Sequence, residues 1–92
     1  MINSKDIFYT YILECADKTY YTGYTIDPKK RILKHNQKKA SKYTRSRTPV
    51  KFVFLKAFNS KHKAMSFEKK IKLLKRSEKE KIISGLNVDF WN

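Results

Sequence analysis

Arg31 and His35 stand four residues apart, so on a helix they lie roughly 40° from each other on one face. A fixed guanidinium beside an imidazole can grip a phosphate and move a proton. In so basic a chain the same pair also describes a plain solvated face. Glu68 is the next candidate. It lies one step from Phe67, roughly 100° round a predicted helix, at the edge of the apolar stripe and beside Lys69 and Lys70. A lone carboxylate in a lysine-rich helix commonly makes a surface ion pair. The sharper alternative is one carboxylate holding one divalent ion, with substrate oxygens and water completing its shell. Tyr11 and Tyr21 fall on two predicted strands. Core packing accounts for two aromatics there; so would two phenols aimed at a phosphate or an attacking water.

That second reading of the tyrosines carries a geometric condition. Directly paired strand residues face the same side of a sheet. Tyr11 and Tyr21 share a face only if paired residue numbers sum to an even value. A two-residue Asp17-Lys18 loop would pair Ala16 with Thr19 and set the tyrosines on opposite faces. An odd-length loop or a bulge is therefore expected.

Lys42, Tyr43, Arg45 and Arg47 make a basic loop with one aromatic. The ring could stack on an unpaired base while the cations track a phosphate backbone; an ordinary solvated loop has the same composition. Other constellations are missing. One cysteine and two distant histidines, His35 and His62, cannot make a structural zinc site. No glycine-rich phosphate loop follows a strand, and no serine nucleophile elbow is present.

The elements that must position these residues follow from pattern. Residues 7–16 are aromatic and β-branched and predict a strand, with Tyr9, Tyr11, Leu13 and Cys15 on one face and Phe8, Thr10, Ile12 and Glu14 on the other. Both faces are largely apolar, as in a central strand covered on two sides. Residues 20–25 complete a hairpin, and Gly23 within them marks a bulge or a close backbone approach. Asp27 and Pro28 start a helix as cap and first residue, which should run to about Lys39. A polar loop over 40–49 leads to a third strand over 50–58. Simple alternation there places Val50, Phe52, Phe54 and Lys56 on one face. Asn59 and Ser60 cap a second helix reaching about Lys75, with an apolar stripe of Ala64, Phe67, Ile71 and Leu74. Ser77 and Glu80 form a capping box for a third helix that should end near Gly85, with Phe90 and Trp91 docking on the body. The order β-β-α-β-α-α describes a small α+β domain: a three-stranded, mostly antiparallel sheet flanked by helices.

Composition sets the partner class. The chain of 92 residues is one small domain, with a core over about 8–83. Its 22 Lys and Arg against 8 Asp and Glu leave a net charge of +14, which suits a polyanion such as nucleic acid. No helix carries the apolar face that membrane-surface binding needs, and no apolar run approaches the ~18 residues of a membrane span. The start, MINSKDIFYTYIL, lacks the marks of a signal peptide. Cys15 is the only cysteine, so no intrachain disulfide forms and a buried structural thiol is expected. A cytoplasmic protein without a membrane partner follows.

Taken together, these residues resemble the GIY-YIG nuclease superfamily, and the compact length resembles its small stand-alone UPF0213 group. The first family motif falls on Tyr9-Thr10-Tyr11, where Tyr9 and Thr10 stand for the family's Gly and Ile. The second falls on Tyr21-Thr22-Gly23, the helix arginine on Arg31, its companion on His35 and the metal-binding glutamate on Glu68. Several family enzymes use a further asparagine late in the domain; Asn87 and Asn92 are present, and neither is assigned to it. The resemblance implies a one-metal endonuclease acting on DNA, structure-specific or single-strand, in repair or recombination. Glu68 would hold Mg²⁺ or Mn²⁺, Arg31 would stabilise charge on the phosphate, and Tyr11 would serve as base or orient water. His35 would take or relay the proton and Tyr21 would position phosphate or water. For Tyr11 to act as a base, cationic neighbours must lower a phenol pKa that is ordinarily ~10. No attached DNA-binding module is expected, so targeting would fall to this domain or to a protein partner. A catalytically silent nucleic-acid-binding domain on the same fold is the alternative, although it would have little use for Glu68.

Overall fold

The computed structural model describes residues 6–91, with side chains as far as Gly85. The elements are β1 (Phe8–Glu14), β2 (Tyr20–Thr25), α1 (Pro28–Asn36), α2 (Lys42–Arg45), β3 (Lys51–Phe58), α3 (Lys61–Lys72) and α4 (Arg76–Trp91). The sheet order is β2-β1-β3, antiparallel throughout. This is the expected α+β arrangement with one addition, the single-turn helix α2 inside the 40–49 loop. Among the described residues, no helix is long and apolar enough to cross a membrane.

The hairpin has the odd loop that the tyrosines require. Glu14 pairs with Tyr20 and Tyr11 with Gly23. Cys15 N–H donates to the Thr19 carbonyl at 2.8 Å, and Lys18 N–H to the Cys15 carbonyl at 2.9 Å. Residues 16–18 therefore form a three-residue loop closed by Lys18 at φ 69°, the left-handed residue such loops need. Asp17 braces the turn by accepting from the Thr19 N–H and hydroxyl.

In β3 the expected alternation fails. Ile12 pairs with Phe54 but Leu13 with Phe52, so Val53 is an extra residue and the strand bulges there. Phe52 and Phe54, expected on one face, are split between two cores. One core joins Tyr11, Leu13, Cys15 and Val50, with Ile32 of α1 and Phe52 against it. The other joins Ile12, Phe54 and Ile71, with Phe67 of α3 and Ile82 and Ile83 of α4. β1 is thus the covered central strand, and Cys15 is a buried thiol, as expected. Fully burying side chains such as Ile12 or Phe54 contributes about 1.5–3 kcal/mol each.

Three helix boundaries depart from expectation. α1 stops at Asn36, short of Lys39, because Lys38 turns left-handed at φ 66°. Lys39 N–H then reaches the Lys34 carbonyl and Lys38 N–H the His35 carbonyl, a Schellman closure made without glycine. α3 ends at Lys72, before Lys75. α4 begins two residues earlier than the Ser77–Glu80 box predicts, because Glu78 accepts from the Lys75 N–H at 2.9 Å while Glu80 pairs with Arg76. Nor does Gly85 end α4, which runs on to Trp91. The expected docking of Phe90 and Trp91, and Asn87 and Asn92, lie outside the described side chains.

Candidate active site

Tyr11 projects from the central strand across Gly23 of its neighbour. A Cβ on Gly23 would overlap the Tyr11 hydroxyl and lie 2.5 Å from Cζ. Gly23 therefore provides the close approach expected of it, by leaving room and not by an unusual backbone angle. The path over Gly23 brings the Tyr11 hydroxyl 2.9 Å from His35 Nε2. His35 arrives from the last turn of α1, whose start is fixed by the Asp27 carboxylate accepting from Lys30 N–H and by Pro28 at the first position. Its other nitrogen, Nδ1, lies 2.9 Å from Thr44 Oγ1 on α2. Tyr21 completes the cluster, its ring 5.2 Å from that of His35 and 6.4 Å from that of Tyr11.

The charged members act on the same phenol. Burial, and then the neighbouring Tyr21, hold the Tyr11 hydroxyl well above its ordinary pKa; Arg31 pulls the other way and Glu68 adds to the rise. The expectation that cationic neighbours would lower this pKa is thus corrected. Arg31 does so, but desolvation of a phenol only 1% exposed outweighs it. Tyr11 therefore stays protonated near neutrality. Burial, with Arg31 second, pushes His35 down to about 4, so near neutrality its imidazole is an uncharged base. Glu68 is half-buried on α3, its Oε2 3.1 Å from Lys72 Nζ. A carboxylate already facing a cation is suited to a metal whose remaining ligands come from water and substrate. Among the described residues no group of three or more His, Cys, Asp or Glu gathers to hold a metal ion.

The basic loop divides in two. Tyr43 stacks on Tyr21 at 6.1 Å between centroids, and the Arg47 guanidinium lies 4.0 Å over the Tyr43 ring. Arg47 also pairs with Asp17 at 3.0 Å and donates to the Tyr43 carbonyl. Tyr43 and Arg47 are thus occupied in building the wall beside Tyr21, while Lys42 and Arg45 stay exposed. Asn36 and Thr44 escaped the sequence reading. The Asn36 amide bonds both the N–H and the carbonyl of Val50, tying the end of α1 to the start of β3. A one-turn helix has no periodicity to betray Thr44; Ser41 as a cap was the only available signal.

The His35 environment makes a prediction about stability. The unfolded imidazole takes up a proton near 6.5, the folded one only at about 4. The unfolded state therefore binds more protons between those values, and stability, full above about 6.5, falls as pH drops through the window. A loss of about 2 kcal/mol is expected between about pH 7.5 and about pH 5. Urea unfolding of the parent chain and of His35→Gln measures it; an equal loss in both would refute the assignment.

Known proteins share this sequence and fold. The GIY-YIG catalytic domain matches residues 7–81. The chain is 49% identical over 76 residues to a UPF0213 protein of Streptococcus pneumoniae serotype 4, covering 83% of this chain and 77% of that one. A UPF0213 protein of Halalkalibacterium halodurans is 50% identical over 76 residues, covering 83% and 81%. The solution NMR structure of a UPF0213 protein from Bacillus halodurans aligns with a TM-score of 0.59 at 47% identity, covering 88% of this chain and 86% of the other. A second NMR structure, of a protein from E. faecalis, aligns with a TM-score of 0.63 at 31% identity, covering 95% and 93%.

Proposed function

The chain belongs to the GIY-YIG catalytic-domain family, and from that premise we propose that it is an endonuclease that hydrolyses DNA phosphodiester bonds with one divalent ion. The observation that carries the reading is the convergence on one hydroxyl. His35 bonds to Tyr11, Tyr21 packs beside it, and the charges of Arg31 and Glu68 both reach it. These residues come from β1, β2, α1 and α3, so packing, and not one helix face, assembles them.

Each side chain has a defined task. Arg31 binds the scissile phosphate and balances the charge that grows on it. Tyr21 limits where that phosphate and the attacking water can sit. Tyr11 accepts a proton from the water while His35 Nε2 takes the phenol's own. Glu68 would hold Mg²⁺ or Mn²⁺ together with substrate oxygens, in exchange for the Lys72 ammonium. When bound, that ion would supply a Lewis acid beside the phosphate and its leaving oxygen. Lys42 and Arg45 extend the phosphate contacts, and the net charge of +14 supplies the salt-sensitive attraction.

Labelled single-stranded, duplex and branched DNA, each with Mg²⁺, Mn²⁺ or EDTA, tests the proposal. Metal-dependent cutting that Arg31→Ala abolishes is expected. Tight, salt-sensitive binding with no cutting under any condition would leave a binding domain and remove the enzyme.

A further inference from the structure

Thr44 is fully buried and polar, and it sits on a helix of four residues that the sequence pattern does not foreshadow. Its hydroxyl lies 2.9 Å from His35 Nδ1 and 3.4 Å from the Ser41 carbonyl. A carbonyl only accepts, so a hydroxyl that serves both partners gives its proton to Ser41, across the longer of the two contacts. In that arrangement a lone pair of Oγ1 faces His35, and Nδ1 carries the hydrogen. Nε2 then keeps its lone pair, 2.9 Å from the Tyr11 hydroxyl, and accepts from it.

We propose that Thr44 is a positioning residue of this site: it locks His35 in the Nδ1–H form and so makes Nε2 the acceptor for the Tyr11 proton. Ser41 supports the arrangement twice. Its side chain caps α2 through the Tyr43 N–H at 3.0 Å, and its carbonyl orients the Thr44 hydroxyl. The depressed ionisation of His35 agrees, because a protonated ring would donate from both nitrogens and have no acceptor for Tyr11. The lock itself is a feature of the resting fold. Its consequence for rate rests on the hydrolytic reading above.

The proton count of that step closes. Water loses one proton to the Tyr11 oxygen as the phenol passes its own to Nε2, and the hydroxide bonds to phosphorus. The ester P–O bond breaks, the departing oxygen takes a proton from solvent, and the imidazolium returns its extra proton to bulk. The other tautomer would point Nε2–H at Tyr11 and leave no base for the phenol.

Nitrogen NMR of the intact chain at neutral pH reads the tautomer directly, with exposed His62 as the internal reference. His35 is expected as Nδ1–H. Thr44→Val keeps the shape but removes the hydroxyl. It should shift His35 toward Nε2–H and lower kcat at least about tenfold with little change in KM. Thr44→Ser should restore both. A parent chain with His35 as Nε2–H overturns the proposal, as does Thr44→Val with unchanged ring nitrogens and unchanged kcat. If Thr44→Val does not fold, the parent spectrum and Thr44→Ser decide. A correct tautomer in a chain that cuts no DNA supports the lock and removes the nuclease reading instead.

Discussion

Glu68→Ala is expected to bind DNA at least as tightly as the parent chain and to cut it at least about a hundredfold more slowly. The two effects separate because Glu68 has two electrostatic relations. Toward a phosphate alone it is a like charge, so removing it costs no affinity and adds one unit to a chain already at +14. Toward a divalent ion it would be the ligand, in the function proposed above. The loss of its ion pair with Lys72 should matter little to folding, since the Lys72 side chain is exposed and i,i+4 helix pairs contribute only about 0.3–0.5 kcal/mol. Binding is measured by fluorescence anisotropy in EDTA and cutting by labelled DNA with Mn²⁺. An unchanged cutting rate would remove Glu68 from the metal role. A parallel collapse of binding would mean that the substitution had damaged the fold.

Gly23→Ala should damage stability and activity together. The added methyl meets the Tyr11 ring, which is 1% exposed, bonded to His35 and packed edge-on against Phe52 at 5.6 Å. The ring cannot yield without giving up the His35 bond or moving β2 away from β1. Overpacking of this kind costs about 1–3 kcal/mol. In a domain of this size each kcal/mol lowers Tm by roughly 4–8 °C. Calorimetry and the cutting assay should both register the change. A double-mutant cycle isolates its cause: with Tyr11→Ala already present, the cost of Gly23→Ala should largely vanish. A parental Tm and rate in Gly23→Ala would show that the phenol does not need this passage.

Different physical rules governed what could be read ahead. The apolar face of α3 was legible because Ala64 and Ile71 repeat at helical spacing, and both are buried in the fold. The start of α1 was legible because Asp27 and Pro28 act within one turn of themselves. The alternation of β3 misled because a bulge is set by the strand alongside, and nothing in residues 51–58 marks Val53 as the extra one. The start of α4 was misplaced because two overlapping carboxylates could each cap it, and Glu78 took the position expected of Glu80.

For the site, the sequence by itself determined the chemical inventory, the family resemblance and the parity rule that Tyr11 and Tyr21 had to satisfy. Those follow from residue identity and from spacing along one chain. Tertiary structure alone decided that Tyr11 passes over Gly23 to meet His35, that Thr44 stands behind that imidazole, and that Tyr43 and Arg47 form a wall beside Tyr21. It also reversed the expected direction of the Tyr11 pKa. Desolvation and hydrogen-bond direction depend on which groups pack against one another, and residues far apart in the chain carry no local pattern that records it.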